Sequence, residues 1–143
     1  MSTGTTVAND TDMYALVTSL KTKRDELSSV TAQLDQLNSE LVSLQTRSSD
    51  LTAANVSIKT QLAARLDVLF AANTSSEDAA LDDQCVTFSA TYKNNEDTIA
   101  SINTKIPIVQ DSITVTTAQQ AVIAADAASL FAQVVAKMDT LRV

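Results

Sequence analysis

The chain predicts an all-α fold, a long antiparallel helical hairpin or coiled coil whose second arm is kinked or interrupted near residues 105–117. Three observations lead there. Two heptad repeats of apolar residues fill most of the 143 residues, four small polar residues separate them, and one Gly and one Pro leave almost no tight-turn chemistry. An all-β or α/β fold needs many more turns.

Residues 1–10 are polar and aperiodic and read as a flexible N-terminal arm. Asp10, Thr11 and Asp12 follow as N-cap candidates, with acidic charge at the positive end of a helix dipole. The first helix is expected over 11–72. One seam position reads Met13, Leu20, Leu27, Leu34, Leu41, Ser48, Asn55, Leu62 and Leu69. The other reads Leu16, Lys23, Val30, Leu37, Leu44, Leu51, Ile58 and Arg65. Apolar residues every 3.5 positions make a narrow stripe that a helix hides only against another helix. At 1.5 Å per residue such an arm spans about 90 Å. Lys23, Arg65, Ser48 and Asn55 are defects in the stripe. Buried polar residues in a seam can fix register, and the alternative is that these sites face a gap or solvent. After Ile58 the spacing Leu62, Leu66, Leu69 resembles a stutter.

Asn73-Thr74-Ser75-Ser76 ends the pattern and forms the connector. Ser75 or Ser76 can cap the next helix, and Glu77, Asp78, Asp82 and Asp83 suit its positive end. A calcium loop needs a spaced ladder of oxygen ligands and a Gly, which this acidic cluster lacks.

The second arm is expected over 77–143. Its d positions are Leu81, Phe88, Asn95, Ile102, Val109, Thr116, Ile123, Leu130 and Lys137. Its a positions are Cys85, Tyr92, Ile99, Ile106, Ile113, Gln120, Ala127, Val134 and Leu141. Local signals oppose continuity. Pro107 lacks an N–H, residues 106–116 are rich in β-branched side chains, and Thr117 to Gln120 fits a capping box that would start a fresh helix. A lone strand has no second strand to pair with, while the heptad phase runs through, so the expectation is helix, kinked or briefly interrupted near Lys105–Pro107, with a second weak point near Thr116. Ala121 to Leu141 is Ala-rich with a wide apolar face, which calls for more than one neighbour and suggests packing into a multi-helix bundle.

Short connectors make antiparallel neighbours, so the two arms should pair. The residues expected to carry the helix–helix interaction are Leu20, Leu27, Leu34, Leu37, Leu41, Leu44, Leu51, Ile58 and Leu62 on the first arm. On the second they are Phe88, Tyr92, Ile99, Ile102, Ile106, Val109, Ile113, Leu130, Val134 and Leu141. Leu at most a positions with mixed d residues selects no oligomer state.

The composition points away from catalysis. There is no His, which removes the usual general base, the commonest transition-metal ligand and every Ser-His or Cys-His pair. One Cys and no His leave no single-chain zinc site, and one Gly leaves no phosphate-cradling loop. No cofactor and no small-molecule substrate are expected. The net charge of −7 disfavours nucleic acid, and the cluster Lys21, Lys23, Arg24 is followed directly by Asp25 and Glu26. Apolar runs fall short of the roughly 20 residues that span a bilayer, so no membrane insertion is expected. The Met-Ser-Thr-Gly start lacks a signal-peptide pattern, which suggests synthesis in a cytoplasm. Cys85, on the seam, reads as a small buried hydrophobe, with an intermolecular disulfide as the sharper alternative. Asn55-Val56-Ser57 and Asn73-Thr74-Ser75 match the glycosylation pattern by chance composition.

The function expected from these features is structural: a non-enzymatic coiled-coil component that fills or clamps contacts in a large complex. A virion is the leading setting, with the chain as a minor capsid, cement or tail-associated protein. The expected partners are other protein subunits or further copies of the chain. A lattice- or filament-forming matrix protein, a soluble adaptor or tether, and a scaffold subunit of an enzyme are the alternatives.

Overall fold

A computed structural model describes residues 11–142. The expected flexible arm, residues 1–10, lies outside the described residues. The chain is an all-α helical hairpin. Helix α1 spans Thr11–Ala71, a short α2 spans Ser76–Ala80 and α3 spans Asp83–Leu141, and α1 packs against α3.

The end of α1 shows how local chemistry builds the reversal. The Asn73 N–H donates to the Phe70 carbonyl (3.0 Å) and the Thr74 N–H to the Leu69 carbonyl (3.0 Å). This is a Schellman cap, and its left-handed residue is Asn73, at φ 62°. Asn substitutes for the usual Gly because its short polar side chain tolerates that conformation. Ser75 then caps α2, its hydroxyl accepting the Asp78 N–H at 3.1 Å.

The second arm does not start as one helix at residue 77. After Ala80 the chain turns at Leu81, the C-cap of α2, and restarts at Asp82, whose carboxylate accepts the Cys85 N–H at 3.2 Å as the N-cap of α3. Leu81 therefore falls out of phase with α3. It is 68% exposed instead of sitting on the seam, and the α3 stripe begins at Cys85.

Of the expected kink or interruption at 105–117, no interruption occurs. Helix α3 runs through Pro107. Pro107 is exposed, and so is Asn103, whose carbonyl loses its usual donor while its side chain reaches Ser48 of α1. The β-branched run continues as helix because its seam members Ile106, Val109, Ile113 and Thr116 are buried or half-buried, and burial outweighs a small propensity deficit. No fresh helix begins at Thr117, and Gln120 reaches across to α1 instead of back to a cap.

Contacts group the chain into two units. One spans residues 39–110 and contains the turn, with Cys85, Ile102, Val109 and Asn55 as its most buried seam residues. The other joins the segment up to residue 38 with the segment from 111 onward. Its core is Met13, Leu20, Ala127 and Val134, with Leu16, Leu130 and Leu141 packed against it.

Candidate functional site

The α1/α3 seam carries the apolar contacts and the polar contacts that join the two helices. Leu20, Ile102, Val109 and Val134 are buried, and Met13, Cys85 and Ala127 join them. Leu27, Leu34, Leu37, Leu41, Leu44, Leu51, Ile58, Leu62, Phe88, Tyr92, Ile99, Ile106, Ile113, Leu130 and Leu141 are half-buried. Half-burial follows from the layer count, since one partner helix covers one side of a stripe and leaves its flanks in water.

Most polar breaks in the stripe find partners on the other helix. In the unit of residues 39–110, Asn55 is 4% exposed and still satisfied. Its Oδ1 accepts from Asn95 Nδ2 at 2.9 Å, and its Nδ2 donates to Glu96 Oε1 at 2.8 Å and to the Tyr92 carbonyl at 3.3 Å. One heptad away, Ser48 Oγ donates to Asn103 Oδ1 at 3.3 Å. In the other unit Gln120 Nε2 donates to Thr31 Oγ1 at 3.0 Å, Lys137 lies 3.7 Å from Asp12, and the Arg24 guanidinium sits 5.8 Å from the Phe131 ring centre. Lys23 pairs along its own helix with Glu26 at 3.1 Å.

Arg65, the other charged seam residue of α1, closes the turn. Its guanidinium meets the Asp82 carboxylate through two parallel bonds, Nε to Oδ2 at 3.1 Å and Nη2 to Oδ1 at 2.8 Å. The same carboxylate caps α3, so one side chain ties the start of α3 to α1. Chiefly through the Arg65 hydrogen bonds, partly offset by burial, Asp82 is held well below the usual carboxylate range. Arg65 is raised in turn, first by its hydrogen bonds to Asp82. Cys85, next along the seam, is 4% exposed. Burial first, and then the Asp82 carboxylate, raise its thiol above its ordinary value. A buried thiol with little thiolate character is chemically quiet, which accords with Cys85 as a small core residue.

Sequence reasoning placed the stripe but missed this pairing. A signal existed: Asn55 and Asn95 each lie twenty residues from Ser75, in the connector. In an antiparallel hairpin, residues equidistant from the turn face each other. The Arg65–Asp82 clasp had no such signal, because it depends on the restart of α3.

Outside the seam, α3 presents an apolar outer surface. Val115, Ala118, Gln119, Val122 and Ile123 line a shallow groove on it. Val115 and Val122 are more than half exposed, and Phe131, Val135 and Met138 are also exposed. An 18-residue window of α3 has a mean hydropathy of 1.5 and is 11% buried, so by length and composition α3 could cross a membrane. Among the described residues no group of three His, Cys, Asp or Glu side chains could hold a metal ion.

No protein-family model, curated protein or solved structure matches this chain.

Proposed function

We propose that this chain acts by binding protein, as a non-enzymatic helical hairpin that fills or clamps contacts within a larger assembly. The observation that supports this reading is the exposed apolar surface on α3, centred on Val115 and Val122. A helix with no further partner would carry charge there. The paired polar residues of the seam favour one register, so outward-facing side chains keep fixed positions for a partner. The leading setting is a virion, with the chain as a minor capsid, cement or tail-associated component, because such a role asks for surfaces and no chemistry.

The test is to purify particles from cells that make the chain, by density and then by size. Quantitative mass spectrometry and a photo-crosslinking side chain at Val56, exposed on α1, complete it. The reading expects a fixed ratio of this chain to one particle subunit and reproducible cross-links to that subunit. A chain recovered only free of particles, with no reproducible cross-link, would overturn it.

A further inference from the structure

We infer that the outer face of α3 between Val115 and Ala136 is a second helix seam, and that its occupant is the same face of a second copy, packed antiparallel. The inference deepens the protein-binding reading and rests on it.

Its first support is spacing. Val115, Ala118, Val122, Ala125, Ser129, Ala132 and Ala136 alternate by three and four residues, the spacing of a helix seam, on the side away from α1. All are exposed, so this stripe has the period of a packed seam with no partner among the described residues.

The second support is shape. The two Val residues share one seam position, and the other position holds only Ala118, Ala125 and Ala132. A parallel pair would set Val against Val and Ala against Ala, which need different helix separations. An antiparallel pair sets each position against the other, so every Val meets an Ala: Val115 against Ala132, Val122 against Ala125, and Ala118 against Ser129. Alternating large and small residues across a seam fills it evenly. The face is thus complementary to itself in one orientation.

Charge is the third support. Each copy carries a net charge of −7, yet residues 112–136 contain one charged side chain, Asp126. It shares one edge of the stripe with Gln119 and Gln133, where it stays in water, while Ala121, Ala128 and Val135 form the other edge. Two acidic chains can meet here without opposing charges in the contact.

The experiment is sedimentation equilibrium of the full chain across a concentration series, beside Val122→Glu, with far-UV circular dichroism on both. Val122 is exposed in the single chain, so the variant should keep its helicity. The expected result is a native species of twice the chain mass. Val122→Glu should weaken association by about a hundredfold or more, because it buries an unpaired charge on both sides. Orientation is read by oxidation in a Cys85→Ala background. Val115→Cys mixed with Ala132→Cys should cross-link, and Val115→Cys alone should not. A monomeric native chain, a mass unchanged by Val122→Glu, or cross-linking by Val115→Cys alone would each overturn the inference. So would a monomer that floats with phosphatidylcholine vesicles through this face. A monomer that still occurs in particles at a fixed ratio would overturn self-association alone and leave the assembly reading standing.

Discussion

Asn55 of α1 and Asn95 of α3 share a 2.9 Å hydrogen bond within a largely apolar seam, and Asn55 is almost wholly buried. Sliding α3 by one heptad would place a buried amide against hydrocarbon. The contact therefore penalises other registers more than it strengthens this one.

Replacing Asn55 with Ala should destabilise the hairpin by roughly 1–3 kcal/mol, since the Asn95 amide loses its partner in a half-buried position. Replacing both Asn55 and Asn95 with Leu should recover the stability and lose the uniqueness of register. Urea denaturation measures the first effect. The second would appear as several oligomeric masses in sedimentation where the native chain gives one.

Asp82 makes stability depend on acid. Its folded-state pKa lies below its unfolded value, so its contribution is fully present above the usual carboxylate range and is lost as the pH falls through and below that range. Thermal midpoints of the native chain should be flat from neutral pH down to about 5 and fall below about 4. Asp82→Asn, which keeps a capping oxygen but no charge, should lie lower at neutral pH and fall less on acidification. Asp82→Ala should lie lower still.

Cys85 should resist alkylation. Iodoacetamide at pH 8 should label it many times more slowly than a free thiol in the native chain and at the ordinary rate in urea, because burial disfavours its thiolate. Rapid labelling of the native chain would show that the seam opens near the turn.

Pro107 sits inside α3 on the exposed side. Pro107→Ala should restore the missing helix hydrogen bond and stabilise the chain by about 1–3 kcal/mol. Its denaturant slope should stay unchanged, because the surface buried is the same.

Much of this architecture is legible in the sequence. The period of Leu20, Leu27, Leu34 and Leu41 needs no tertiary information, since it is a property of one helix. The polar connector is equally local. The course of α3 through Pro107 and the β-branched run is not. Those residues oppose helix by themselves, and the packing of Ile106, Val109 and Ile113 decides the matter. The restart at Asp82 is hidden for a similar reason. Its acidic neighbours all suit a helix start, and only the position of Arg65 on the other arm selects which one becomes the cap. The seam's polar residues show in the sequence as defects, and their roles emerge only when the two arms are paired.

The central claim is that the two long helices pair in one antiparallel register, and a pair of engineered cysteines tests it most directly. In a Cys85→Ala background, Ser48→Cys with Asn103→Cys should close an intrachain disulfide under mild oxidation without loss of helicity, because these side chains already touch at 3.3 Å. Ser48→Cys with Gln110→Cys, one heptad along α3, should stay reduced. Equal closure of both pairs, or closure of the second alone, would contradict the account.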